Sequence, residues 1–152
     1  MTSDFDSNRI RDAMERIDMT AVAEYVREIS GELIETFAEV SGDFHPLHVD
    51  AEYAKSTPWG RRIGHGAMLV GFMSTASTIL SEDIEKDIGH TNVSLGYDRL
   101  RFIEPVFEGD TITTRISIVD VQKEKLRVIC EERCTNQSGT TVAVGIHVMR
   151  FI

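Results

Sequence analysis

The run Ser41-Gly42-Asp43-Phe44-His45-Pro46-Leu47-His48-Val49-Asp50 holds three side chains that can exchange a proton near neutral pH, alone or with modest tuning: Asp43, His45 and His48. Their chemistry is general acid–base catalysis, which needs such groups held within reach of one reacting molecule. Gly42 and Pro46 punctuate the run, and both residue types fix unusual backbone geometry. Pro46 disfavours helix at His45, so the segment is expected to be a stiff, extended loop. A solvated surface turn would also be rich in Gly, Asp and Pro, but such turns seldom carry two histidines beside an aspartate. His45, His48 and Asp50 have a spacing that a metal could use. No third strong ligand is evident in the sequence, so no metal is expected.

Such a loop needs a rigid scaffold. Leu33, Ile34, Phe37 and Val40 predict one apolar face of a helix that starts after Ser30 as N-cap, with Glu32 and Glu35 in its first turns, and stops near Gly42. This helix delivers the chain to the loop. Ala51 to Lys55 can add a short helical turn, closed by Pro58 and Gly60. Arg61-Arg62-Ile63-Gly64-His65-Gly66 then leads into Ala67 to Leu80, a stretch without charge and apolar on every side. Apolar residues all round predict a buried helix, and about 15 residues is short for a membrane span. Gly66 would sit at its start, where free N–H groups favour negative charge.

From Asn92 the pattern changes to strands: Val93 to Val106, Thr111 to Val121, Leu126 to Cys134 and Thr141 to Ile152. Turns at Gly109-Asp110, Lys123-Glu124 and Gln137-Ser138-Gly139 predict an antiparallel meander. Thr20 to Ile29 reads as a further strand, and Ile10, Met14 and Ile17 suggest a short amphipathic helix. Residues 1–19 are set apart as an N-terminal extension and 20–152 as one domain of the α+β class, with a helix packed on one sheet face.

The chain has 152 residues, enough for one sizeable core, and 41% hydrophobic and 27% charged residues, as in soluble globular proteins. A formal net charge of −9 excludes a general basic field for nucleic acid, so an anionic ligand must be met by a local cluster. No signal-type or membrane-spanning run is read, and a cytoplasmic location is expected. Cys130 and Cys134 lie four residues along one strand, roughly 13 Å apart, too far for a disulfide. Reduced, buried thiols are expected. His90 and His147 are assigned no function.

Three landmarks carry a family resemblance. Phe37 to Asp50, with Ser41-Gly42-Asp43-Phe44-His45-Pro46-Leu47-His48 at its centre, resembles the signature of MaoC-like (R)-specific enoyl-CoA hydratases. Arg62-Ile63-Gly64-His65-Gly66-Ala67-Met68 resembles the start of that family's central helix, and Phe102-Ile103-Glu104-Pro105-Val106-Phe107-Glu108-Gly109-Asp110 its Pro-Val-x-x-Gly-Asp turn. The resemblance spans about residues 30–152. It implies the hot-dog fold, a curved antiparallel sheet wrapped around one long helix, and usually a dimer. It places Asp43 and His48 on the catalytic acid–base pair and the Gly66 backbone N–H on the thioester carbonyl oxygen. At the position commonly Asn, this chain has His45, which can titrate as well as hydrogen-bond. His45 is therefore an auxiliary candidate, either catalytic or donating one ring N–H in the role of the Asn.

The implied reaction adds water reversibly to a trans-2-enoyl-CoA thioester, giving an (R)-3-hydroxyacyl-CoA. Coenzyme A belongs to the substrate, and no metal or organic cofactor is required. Asp43 and His48 can hold one water between them, while the Gly66 N–H stabilises the enolate, a contribution often worth about 3 kcal/mol per donor. Arg61 and Arg62 either meet the coenzyme A phosphates or are simply solvated. Two other readings compete: a hot-dog acyl-CoA thioesterase that cleaves the same thioester, and a non-catalytic acyl-CoA-binding subunit. An acyl-carrier-protein thioester is a further possible substrate.

Overall fold

The structure, a computed structural model, describes residues 4–152. Helix α1 (Asp4–Ala13) runs into a 3-10 turn (Met14–Arg16) and then strand β1 (Val22–Glu28). Helices α2 (Gly31–Ser41), α3 (Pro46–Val49), α4 (Ala51–Lys55) and α5 (Gly66–Ile88) follow. Strands β2 (Asn92–Phe102), β3 (Thr111–Gln122), β4 (Arg127–Thr135) and β5 (Thr141–Phe151) complete the chain. The strands form one antiparallel five-stranded sheet, ordered β1-β3-β4-β5-β2, and α5 packs across it. This is the α+β arrangement of one long helix against a sheet that the sequence predicts.

The strand order corrects part of the meander. β3, β4 and β5 are neighbours in sequence and in space, but β2 lies at the far edge beside β5 rather than next to β3. Local turn chemistry specifies the hairpins; it carries no information about a connection that must cross the sheet. Residues 103–110 make that crossing and are tied down along it. Ile103 N–H donates to the Val142 carbonyl at 2.8 Å, Gly109 N–H to the Ile29 carbonyl at 2.8 Å and Ile29 N–H to the Asp110 carbonyl at 2.8 Å. The Asp110 carboxylate accepts from Phe107 N–H at 2.8 Å and Gln137 Nε2 at 3.0 Å. β2 also ends at Phe102, so Pro105 and Val106 belong to this crossing and not to a strand.

The central helix is longer than the uncharged stretch. It continues from Leu80 through Glu82, Asp83, Glu85, Lys86 and Asp87 to Ile88, because Leu80, Ile84 and Ile88 keep the i, i+4 spacing of one buried face. Its other face is open in the single chain: Ala67, Gly71, Ser74 and Thr78 are exposed. The helix is thus amphipathic in exposure although not in charge over its first half. Among the described residues, no helix is long and apolar enough to cross a membrane.

Two apolar clusters divide the core along α5. Its first half packs with Ile34 of α2, Ile112 of β3 and Val142 of β5. Its second half packs with Ile10 and Met14 of the first segment, Ile116, Val128 and Phe151. The segment set apart as an extension is therefore part of the core. Arg16 also donates to the Asp87 carbonyl at 2.7 Å and the Ile88 carbonyl at 3.2 Å, satisfying carbonyls that the end of α5 leaves without partners. Cys130 and Cys134 are free and buried, as expected, and burial pushes their thiols up to about 12 and about 11.

Helix α2 forms as its sequence dictates. Ser30 Oγ accepts the Leu33 N–H at 3.1 Å, and Gly42 ends the helix at φ 77°, a left-handed conformation that costs glycine nothing. Ile34 and Ala38 are fully buried, whereas Val40, assigned to the apolar face, is 77% exposed because it falls on the outer side of the last turn.

Met14 is 1% exposed, so Met14→Ala should lower unfolding free energy by about 2–5 kcal/mol, read in urea or thermal denaturation. A loss below about 0.5 kcal/mol would mean that residues 4–16 are an appendage, not core.

Candidate active site

The loop after α2 is less extended than its proline suggests. Pro46 takes the first position of the single-turn helix α3, where its missing N–H costs nothing. His45 is the N-cap residue: its Nδ1 accepts the Leu47 N–H at 3.2 Å. His45 therefore acts here as an acceptor, whereas the expected Asn-like role was that of a donor, because a helix start offers spare N–H groups and not spare carbonyls. The Asp43 carboxylate, two residues earlier, accepts the His45 N–H at 3.2 Å. These local bonds turn the chain so that Asp43 and His48 face one place.

That place is completed from the start of α5. A carboxylate oxygen of Asp43 and one ring nitrogen each of His48 and His65 all lie within 4.8 Å of one another. His65 is the residue that sequence reasoning missed, although it stood inside a quoted motif; nothing local distinguishes a buried histidine in a helix cap from a surface one. It is 2% exposed, and its ring stacks on His48 with centroids 3.8 Å apart and planes 28° apart. Both imidazoles donate to backbone carbonyls: His48 Nδ1–H to Ile63 at 2.8 Å and His65 Nε2–H to Asp43 at 3.0 Å. Such partners fix the tautomers, so His48 Nε2 carries the free lone pair.

His48 is half-buried, and this burial holds its proton affinity below the ordinary imidazole value; His65 and His45 act in the same direction, while the Ile63 carbonyl and Asp43 oppose them. A neutral imidazole with one bound N–H and one free lone pair is the form required of a general base.

His48 and Gly66 both border a cavity of about 300 Å³, whose walls include Trp59, Ile63, Leu69, Phe102 and Val106. Gly66 is the first residue of a 23-residue helix, so its N–H has no acceptor within the helix and lies at the positive end of the helix dipole. A side chain there would collide with Phe102: an added Cβ would sit 2.7 Å from its Cδ2 and 2.9 Å from its Cγ. Glycine lets the aromatic wall close over the N–H without covering it with a methyl group. Trp59 and Phe102 were not picked out as wall residues from sequence, since their meeting depends on the sheet crossing.

Arg61 and Arg62 part company. Arg62 is tied to Glu35 at 3.2 Å and Glu108 at 3.6 Å. Arg61 is exposed and lies over the Phe107 ring at 3.8 Å from its centroid. Both line a separate, more polar hollow of about 390 Å³ with Lys55 and Glu108.

Known proteins bear out the family resemblance. Residues 12–141 match the family model of the MaoC like domain. An (R)-specific enoyl-CoA hydratase of Aeromonas caviae is 31% identical over 118 residues, covering 78% of this chain and 83% of the relative. One of Rhodospirillum rubrum is 33% identical over 123 residues, covering 81% and 80%. The solved structure of an R-hydratase from Pseudomonas aeruginosa superposes with a TM-score of 0.76 at 29% identity, covering 90% of this chain and 83% of that one. With its long helix against a five-stranded antiparallel sheet, and with matches across most of its length, the chain belongs to the MaoC-like domain family and has its hot-dog fold.

Proposed function

We propose that this protein is a hydro-lyase that adds water reversibly to a trans-2-enoyl-CoA thioester and forms an (R)-3-hydroxyacyl-CoA. One observation carries the reading: an imidazole with a carboxylate within 4.8 Å borders a cavity whose wall also holds the first residue of a long helix. The activity named for the relatives supports it.

The chemistry divides among these groups. The thioester carbonyl oxygen accepts from Gly66 N–H, which draws electron density from the conjugated double bond. Water held between Asp43 and His48 gives up one proton as its oxygen bonds to Cβ. The electron pair of the double bond moves to the enolate, whose oxygen the same N–H stabilises. Cα then takes up the proton that the Asp43–His48 pair accepted from the water, so the pair returns to its starting protonation and the thioester is left intact. No metal or organic cofactor enters this scheme. Arg61, with Lys55 on the same hollow, is the nearest cationic candidate for the coenzyme A phosphates; Arg62 would first have to leave its two carboxylates.

The assembly belongs to the same proposal. The exposed, small side chains Ala67, Gly71, Ser74 and Thr78 share one face of α5 and permit close helix approach. Beside them the edge strand β2 exposes Leu95 at 48% and Phe102 at 49%. A second copy seated there would form a homodimer, pair the free edge and cover both the small-residue face and the exposed Leu95 and Phe102. Light scattering at micromolar concentration should give twice the chain mass, and Gly71→Arg should lower it. A fully active monomer would contradict this assembly.

Asp43→Asn and His48→Ala should each slow hydration of trans-2-butenoyl-CoA by at least about a hundredfold, since each removes one proton-transfer partner from the same water. The double variant should be little worse than the worse single, because the pair acts as a unit. Near-wild-type hydration by either single variant would sink the mechanism.

The pH dependence follows from the lowered proton affinity of His48. Its neutral, active form persists above the folded value, and activity is lost as pH falls through it. The acidic limb of kcat/KM should therefore lie below 6.5. A limb above that value would show that another group controls the reaction.

A further inference from the structure

We infer that His65 is a positioning residue for the hydration reaction: one buried imidazole locks the Asp43 backbone, the His48 ring and the Gly66 N–H into a single reacting geometry. The inference rests on the proposed hydratase reading and extends it to a residue that the acid–base scheme does not use.

Three contacts carry it, each to a different part of the machinery. His65 Nε2–H donates to the Asp43 carbonyl at 3.0 Å, which joins residues 22 apart in sequence and fixes the peptide from which the Asp43 side chain departs. The His65 ring lies under His48 at 3.8 Å, so the plane of the base cannot tilt without displacing it. His65 is also the N-cap residue of α5 and directly precedes Gly66, so its backbone sets where that N–H points. Phe37 of α2, with ring centroids at 4.9 Å, closes its other side.

The ring's remaining atom favours the same role. Nδ1 of His65 is buried and has no hydrogen-bond partner. A proton placed there would meet no acceptor, whereas a lone pair costs less, so the geometry favours the Nε2–H tautomer. Stacking two imidazoles this closely also disfavours charge on both. His65 thus has no exchangeable proton aimed at substrate. It acts through Asp43 and His48, and displacing either by about 1 Å is enough to cost about a hundredfold.

Two variants separate the contacts. His65→Phe keeps the stacked ring and loses the donor; His65→Gln keeps an N–H near the position of Nε2 and loses the ring. With trans-2-butenoyl-CoA, His65→Phe should lower kcat by at least about thirtyfold while KM stays within about threefold, because binding is spared and geometry is not. His65→Gln should recover part of the kcat that His65→Phe loses. Both are compared only after circular dichroism shows a folded chain. Wild-type kcat in His65→Phe, or a folded His65→Gln no better than His65→Phe, would overturn the inference.

Because His65 is buried, nitrogen-15 NMR of the wild type supplies a readout that needs no variant. His65 should show the Nε2–H tautomer in its neutral form. An Nδ1–H tautomer would overturn the inference. The failures are distinguishable. A wild type that does not hydrate removes the hydratase reading, while the tautomer measurement still decides the clamp; a wild type that hydrates, with indifferent His65 variants, removes the clamp alone.

Discussion

The structure depends on the hydrogen bonds that converge on residues 63–66, just where the central helix begins. Ile63 N–H donates to the Leu47 carbonyl at 3.3 Å, and the Ile63 carbonyl accepts from His48 Nδ1 at 2.8 Å. Gly64 N–H donates to the Val106 carbonyl at 2.7 Å, and His65 Nε2 to the Asp43 carbonyl at 3.0 Å. Three consecutive residues, Ile63 to His65, thereby hold the loop of Asp43 and His48 on one side and the sheet crossing on the other. The next residue, Gly66, starts α5. The proposed proton-transfer pair, the proposed oxyanion donor and the Phe102 wall are therefore not separate features. They are all hung on one short strap whose own position is set by the buried helix behind it.

Electrostatics explains how an acidic chain can still handle an anionic substrate. With a formal net charge of −9, the long-range field repels phosphates, so recognition has to be local. In the proposed mechanism the local device is the start of α5, whose dipole and free N–H would favour the developing enolate charge. Farther out, Arg61 is held by the Phe107 ring instead of by a carboxylate, which leaves its charge available, whereas Arg62 is engaged by Glu35 and Glu108. Burial of His48 completes the arrangement by favouring the neutral ring.

What was legible in the sequence is what is local. Ser30 and Gly42 bound α2 because a cap and a left-handed stop act within a few residues. The three hairpin strands at the C-terminal end follow from alternation and turn residues. The two loop residues, Asp43 and His48, stood out because their types and spacing suit proton transfer. What was not legible depends on distant partners. The place of β2 beside β5 is set by a crossing, not by a turn. The last turns of α5 were hidden by charges on its outer face, although Ile84 and Ile88 carry the signal. The first segment looked like an extension until Met14 and Arg16 were seen against the far end of α5. His65 was invisible as a site residue for the same reason: its meaning lies in a carbonyl 22 residues away.

The central claim is that the thioester is hydrated and not cleaved. Wild-type protein incubated with trans-2-butenoyl-CoA in deuterium oxide tests it directly, with conjugation, free thiol and product stereochemistry followed in one reaction. The account predicts loss of conjugation, one deuterium at Cα, an (R)-3-hydroxy product and no thiol beyond the uncatalysed rate. Release of coenzyme A as fast as conjugation is lost, or with conjugation intact, would contradict it.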